Sequence, residues 1–328
     1  MKAKSAPLDF FRGKSILVTG GTGYFASGII ALLRDVDCRI IRLGRRIEGR
    51  EKGDGAAHII DMTGDMCDSD IWDRCLDGID VVFHLAAQTS IYVANADPLA
   101  DHAVNVLPML RLLEACRQQR LQPIVCFAST VTVAGIPACL PVDEAHPDHP
   151  MTVYDLHKQM AEQYLCWYSE QGFVRGVTLR LPNVYGPGPH SSSSDRGILN
   201  QMIRRALGGE PLTVYGLGEQ LRDYLYIDDV ARAFLAAAAH ADALNGRHFV
   251  IGSGVGYSIA AALELVSARV AARTGQEVEV QHVAPPDGLS PIEQRNFVAD
   301  PQRFCSVTGW RPCYSLSEGI DRTLEASA

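Results

Sequence analysis

Tyr154 and Lys158 stand four residues apart at the start of the run Tyr154 to Tyr168, and Ser129-Thr130 closes the apolar segment Ile124-Val125-Cys126-Phe127-Ala128. A tyrosine, a lysine and a hydroxyl in that relation form a proton-transfer set for interconverting an alcohol and a ketone. A free phenol titrates near ~10, too high for a base at neutral pH, so Tyr154 needs a neighbouring cation to stabilise its phenolate. Lys158, one turn further on the same helix face, supplies that charge. Thr130 would exchange a hydrogen bond with the substrate oxygen and hold it beside Tyr154 while hydride leaves carbon. A bare Tyr-x-x-x-Lys recurs by chance in chains of this size, so the weight falls on the elements that must bring a hydride carrier to it.

Those elements begin at Val18-Thr19-Gly20-Gly21-Thr22-Gly23-Tyr24-Phe25-Ala26-Ser27. The bend follows the buried-strand run Ile16-Leu17-Val18, and Ile29, Ile30, Leu32 and Leu33 continue at helical spacing. Gly20 can take a positive φ in the tight turn, and Gly23 lets the backbone approach a pyrophosphate at the helix N-terminus. Ala26, third in the pattern, still permits close helix-strand packing. Cys38 to Leu43 reads as a second strand ending in Gly44-Arg45-Arg46. A carboxylate at Gly44 would bind the two ribose hydroxyls of NAD, whereas Arg45 and Arg46 suit a 2′-phosphate and lean toward NADP, unless they merely solvate a loop.

A third strand, His58-Ile59-Ile60-Asp61-Met62, brings Asp61 toward the adenine amine. Ile79 to Gln88 is a buried strand ending in Leu85, Ala86 and Ala87, small enough for backbone to pass beneath a cofactor. Ala103 to Arg117 reads as a helix kinked at Pro108, and Pro182 to Gly188 as an irregular loop. The alternation predicts an α/β fold, a Rossmann-type doubly wound parallel sheet with a smaller C-terminal substrate domain. We expect the dinucleotide domain over 1–185, receiving about 224–256, and the substrate domain over 186–223 and 257–328, with the serine-rich stretch His190 to Arg196 at the changeover.

The 328 residues are 47% hydrophobic with a net charge of −8, which offers no basic footprint for nucleic acid. The longest apolar run, near Ala231 to Ala239, is too short to cross a bilayer. Nine cysteines, an odd number without a C-x-x-C pair, point to reduced thiols in the cytoplasm, and no His/Cys grouping has metal-ligand spacing.

Taken in order, Gly20-Gly21-x-Gly23, Asp61, His84-Leu85-Ala86-Ala87, Asn105, Ser129-Thr130, Tyr154-x-x-x-Lys158 and Asn183-Val184-Tyr185-Gly186-Pro187 resemble the extended short-chain dehydrogenase/reductase family. The resemblance is to its NAD-dependent epimerase/dehydratase branch acting on nucleotide sugars. It extends through Gly218-Glu219-Gln220-x-Arg222-Asp223-Tyr224, Tyr226-x-Asp228-Asp229-Val230 and Gly309-Trp310-x-Pro312. It implies a nicotinamide dinucleotide against Gly20, Gly23, Tyr24, Phe25, Arg45, Arg46, Asp61 and Met62. Further along, the same cofactor would meet Leu85, Ala86, Ala87, Asn105, Ala128, Tyr154, Lys158 and Leu181. It implies a nucleotide-diphosphate sugar held by Gln88, Thr130, Asn183 and Arg222, with Val214 and Tyr215 on the base and Arg295 reaching the diphosphate. Arg222 has the alternative of an ion pair with Asp223 or Asp228. A homodimer through the tyrosine helix and the helix near Asn105 is also implied.

Departures from the family pattern narrow the reaction. Its sugar 4,6-dehydratases carry Asp-Glu directly after the active-site threonine, whereas Val131-Thr132 follow Thr130 here, which argues against dehydration. Ala134 replaces a tyrosine common before the glycine, which would reshape the pocket, and His157 stands where a serine is common. The expectation is a nucleotide-sugar epimerase, acting at C4 by default through transient oxidation to a keto-sugar. An NADPH-dependent nucleotide-sugar 4-ketoreductase is the alternative enzyme, and a dinucleotide-binding sensor or scaffold the non-enzymatic one.

Overall fold

The computed structural model describes residues 7–47, 55–189 and 197–327. The stretch 190–196 lies outside them. In chain order the first half of the central layer is β1 (Ser15–Thr19), α1 (Tyr24–Leu33), β2 (Arg39–Gly44), β3 (His58–Thr63), α2 (Ser69–Cys75) and β4 (Val81–His84). The second half is α3 (Ile91–Ala96), α4 (Pro98–Asn105), α5 (Leu107–Gln119), β5 (Ile124–Thr130), α6 (Val153–Glu170) and β6 (Arg175–Leu181). Then come β7 (Asn183–Tyr185), α7 (Ile198–Leu207), β8 (Leu212–Tyr215), β9 (Leu221–Tyr226), α8 (Ile227–Ala239), α9 (Ala241–Leu244) and β10 (Arg247–Val250). The chain closes with β11 (Gly256–Ser258), α10 (Ile259–Thr274), β12 (Val280–Val283), α11 (Gln302–Thr308) and α12 (Leu316–Ala326).

Seven parallel strands form the central sheet in the order β10-β6-β5-β4-β1-β2-β3, the doubly wound arrangement whose direction of growth reverses between β1 and β4. Its strands are continuous apolar runs because both faces are covered. Ile16, Val18, Cys126 and Ala128 belong to one core with α1 and α8, while Leu17, Val125 and Phe127 point the other way into a core with α2, α5 and α6. The pleat thus splits each run between two cores. A third core, around Leu212, Val214, Ile203, Val266 and Ile320, joins the short strands β8 and β9 to α7, α10 and α12.

Two local expectations are corrected. The helix read through Pro108 is two helices, α4 and α5, with Pro108 in the first turn of the second, where its missing N–H costs nothing. The breaker-rich segment after β6 contains β7, which pairs in parallel with β9 because that neighbour supplies partners that local propensity does not reveal. Helix α6 is fixed at its start by a capping box between Thr152 and Asp155, so the Tyr154 and Lys158 positions are set from the first turn.

Candidate active site

The C-terminal ends of β1, β2, β4, β5 and β6 open into a cavity of 1030 Å³ that is closed on its far side by α7, Tyr224 and the loop carrying Glu293 and Arg295. On its near wall Gly20 has φ +64, and a Cβ there would lie 3.0 Å from the Ala86 Cα. A Cβ on Gly23 would lie 2.9 Å from the Gly20 carbonyl oxygen, and the Gly23 N–H donates to that oxygen at 2.7 Å. Gly23 caps α1 without any side-chain bond, which leaves first-turn N–H groups for an anion. Backbone this close to the cavity, with no side chain to fill it, fits a pyrophosphate. Tyr24 ties the cradle to the far wall: its hydroxyl donates to the Gly186 carbonyl at 2.9 Å and accepts from the Asn200 amide at 3.1 Å.

Thr19 anchors the adjoining strand end. Its hydroxyl oxygen accepts from the Leu85 and Ala86 N–H groups at 3.0 and 3.1 Å and lies 3.2 Å from His84 Nδ1. Burial, then the Lys158 charge, lowers His84 to about 3, so the ring is neutral and its Nδ1 can accept a hydrogen bond from the threonine hydroxyl. Leu85, Ala86, Ala87, Ala128 and Leu181 continue the lining, as do Phe25, Arg45 and Arg46.

Thr130, Tyr154 and Lys158 share one wall of the cavity. The Tyr154 ring packs with Ile91, Ala94 and Ile292. Lys158 is 2% exposed, its Nζ 4.0 Å from the centre of the Phe127 ring. Burial pulls its pKa down to about 7, while the Glu162 and Asp101 carboxylates pull the other way. Lys158 is therefore poised to exchange its charge near neutrality, beside a phenol that needs it. Glu162 is itself held by Arg180, at 2.6 Å, and by the Ser129 hydroxyl.

Several expected contacts fall elsewhere. Asp61 and Met62 do not reach the cavity, because β3 continues to Thr63 and Asp61 sits mid-strand, opposite Arg42 in the register. Its carboxylate takes both arms of that guanidinium at 2.7 and 2.9 Å. Asp65, Met66 and Cys67, just past the strand end, line the cavity instead. The Cys67 backbone N–H and the Arg45 charge are among the influences that hold the Asp65 carboxyl below its usual range. Gln88 and Asn105 are also set back, in a knot where both side-chain amides donate to Asp101, at 2.7 and 2.9 Å, and Asn105 brackets the Gln88 backbone. His157 joins it, Nδ1 at 2.7 Å from Asp101.

Asn183 and Arg295 line the cavity, but Arg222 does not. Its guanidinium donates to the carbonyls of Leu221 at 3.1 Å, Glu293 at 2.8 Å and Arg295, and lies 3.6 Å from the Glu293 carboxylate. Neither Asp223 nor Asp228 is its partner. Arg222 braces the loop that presents Glu293 and Arg295, an arrangement set by residues some seventy positions away and invisible in local sequence. Val214 is buried in the third core and Tyr215 is half exposed at the end of β8, so neither meets the cavity. Ala134 packs with Val131, Val142, Val250 and Phe297 rather than opening the cavity. Thr132, Asn200, Arg204 and Tyr224 line it without having been singled out.

A doubly wound sheet with an uncapped glycine cradle at its switch point, and a Tyr-Lys pair on the wall beyond, defines an enzyme of the short-chain dehydrogenase/reductase type. Residues 16–252 match the NAD dependent epimerase/dehydratase family, and the chain belongs to it. The UDP-glucose 4-epimerase of Mycolicibacterium smegmatis is 32% identical over 317 residues, covering 94% of this chain and 97% of that protein. The crystal structure of the Thermotoga maritima UDP-glucose 4-epimerase with UDP-glucose superposes with a TM-score of 0.82 at 28% identity, over 95% of this chain and 98% of that one. The Thermus thermophilus UDP-glucose 4-epimerase in complex with NAD gives a TM-score of 0.75 at 30% identity, again over 95% of this chain and 98% of that one.

Proposed function

We propose that this protein is a nucleotide-sugar epimerase that inverts C4 through a transient keto-sugar. The observation that carries the reading is the joint placement of Thr130, Tyr154 and Lys158 on one wall of a cavity whose opposite end is a glycine cradle. Tyr154 takes the proton of the sugar hydroxyl, and the Lys158 charge stabilises the phenolate that makes this feasible near neutrality. Thr130 holds the reacting oxygen. A nicotinamide dinucleotide held in the glycine cradle would supply the hydride acceptor and donor. Asn183 and Arg295 bind the substrate diphosphate, Arg295 through a fork suited to phosphate oxygens. Asp65 takes the adenine-side role first expected of Asp61.

In this reading residues 1–185 with 224–256 hold the dinucleotide, and 186–223 with 257–328 hold the sugar nucleotide. Exposed Leu99 on α4 and Leu156 and Trp167 on α6 support pairing of two copies through these helices. All nine cysteines are free thiols, which suits a cytoplasmic setting.

The test is stoichiometric. Incubated with UDP-glucose or UDP-galactose and a trace of dinucleotide, the protein should form many equivalents of C4-inverted product per cofactor. One NADPH consumed per product would overturn the epimerase in favour of the 4-ketoreductase. That second reading is favoured by Arg45 and Arg46, which border the cavity where Gly44 offers no carboxylate. They make the cofactor lean toward NADP. Replacing both with alanine should weaken NADPH binding about 10-fold or more, the loss of one or two charge-assisted bonds, with little change for NADH. Fluorescence titration of the two cofactors checks this, and equal losses would remove the 2′-phosphate assignment.

A further inference from the structure

Asp155 follows the candidate catalytic tyrosine and is fully buried. The capping box occupies only one of its oxygens: Oδ2 accepts from the Thr152 hydroxyl at 2.7 Å and the Thr152 N–H at 3.2 Å. The other, Oδ1, accepts from the Thr132 hydroxyl at 2.5 Å. Thr132 Oγ1 in turn lies 2.8 Å from Thr130 Oγ1. Each hydroxyl owns one proton. Because the Thr132 proton is committed to the carboxylate, the bond between the two threonines must be donated by Thr130. Thr130 Oγ1 also accepts from the Thr132 N–H at 3.2 Å, which leaves a lone pair and no proton for the cavity.

We propose that Asp155 is a positioning residue that makes Thr130 an obligate hydrogen-bond acceptor toward the substrate. While Tyr154 is protonated, a hydroxyl at the reacting carbon accepts from the phenol and donates its own proton to Thr130, a bond it gives up when that proton passes to the Tyr154 phenolate; a ketone, which has no proton to give, never makes it. Only Tyr154 among the two can donate to the carbonyl oxygen. The keto-sugar is consequently held at one point fewer than the alcohol, which lowers the cost of turning it to present its other face. This deepens the epimerase reading and rests on it.

Two measurements test it. Neutron diffraction from perdeuterated protein should place the Thr130 deuteron toward Thr132 and the Thr132 deuteron toward Asp155; a Thr130 deuteron directed into the cavity would overturn the proposal. Calorimetry should compare UDP-6-deoxyglucose with UDP-4-keto-6-deoxyglucose, which differ only at C4. In Asp155→Asn the new amide can donate to Thr132, reversing the chain and giving Thr130 a proton for the cavity. The ratio of keto to hydroxyl dissociation constants should then fall about 10-fold, one hydrogen bond's worth. Thr132→Val removes the acceptor of the Thr130 proton and should move the ratio the same way without touching the capping box, so it serves if Asp155→Asn does not fold. Thr132→Ser should retain the wild-type ratio. A ratio unchanged in both Asp155→Asn and Thr132→Val overturns the proposal. If neither sugar nucleotide binds the wild type, it is the epimerase reading that fails, and the neutron map still decides the donor order.

Discussion

Tyr154→Phe is expected to lower turnover about 10²–10⁴-fold, the usual contribution of a positioned acid-base group, while leaving the fold and the dinucleotide affinity nearly intact. The ring is packed against Ile91, Ala94 and Ile292, and phenylalanine preserves that surface. What disappears is the hydroxyl that must take and return a proton, for which the wall offers no replacement: in the donor order proposed above Thr130 directs its proton to Thr132, and Lys158 points its Nζ over the Phe127 ring. Initial rates with a nucleotide sugar, set beside cofactor titration and a thermal melt, separate chemistry from binding and folding. Residual turnover above about a tenth of wild type would remove Tyr154 from the proton-transfer role, since general acid-base catalysis is worth far more than that. Unaltered function in cells would instead favour a sensor.

The parts of this site that were legible in the sequence are those written in consecutive residues. A strand covered on both faces reads as an unbroken apolar run, so Ile16-Leu17-Val18 and Ile124 to Ala128 declared the central sheet, and the glycines at 20 and 23 declared the turn after it. Tyr154 and Lys158 were legible because helical spacing places them on one face. Asp61 shows where that method stops. Which acid of Asp61 and Asp65 reaches the cavity depends on where β3 ends and on what stands opposite in β2, and Arg42 in the paired register claims Asp61. The capping-box spacing from Thr152 to Asp155 was present in the sequence, but its second oxygen finds Thr132 only after β5 and α6 pack. Arg222 departs from its expected place on the substrate diphosphate for the same reason, because the carbonyls of Glu293 and Arg295 that claim its guanidinium come near only in the fold.

Lys158→Met should make the protein more stable and less active at once. In the fold Lys158 titrates near about 7, and in the unfolded chain near ~10.4. Between those values the unfolded chain binds the extra proton, so wild-type stability rises with pH across that window, and below it the whole cost of burying the charge is present. Methionine has a similar length and no charge to bury. The cation-π contact with Phe127 offsets part of the cost, so the expected gain near neutral pH is about 1–4 kcal/mol, seen as a melting temperature several degrees higher. The advantage should shrink as pH climbs toward 10, where the folded lysine is already neutral and the unfolded one is losing its proton. Activity should move oppositely: without the cation the Tyr154 phenolate loses its stabilisation, and the rate of alcohol oxidation should fall about 100-fold or more and recover only at more alkaline pH. Melting curves and pH-rate profiles on the same variant decide this. A variant less stable than wild type at pH 6 to 7, or a stability difference that ignores pH, would mean that Lys158 is not depressed in the fold and keeps its full charge there, held by the Glu162 and Asp101 carboxylates against the cost of burial.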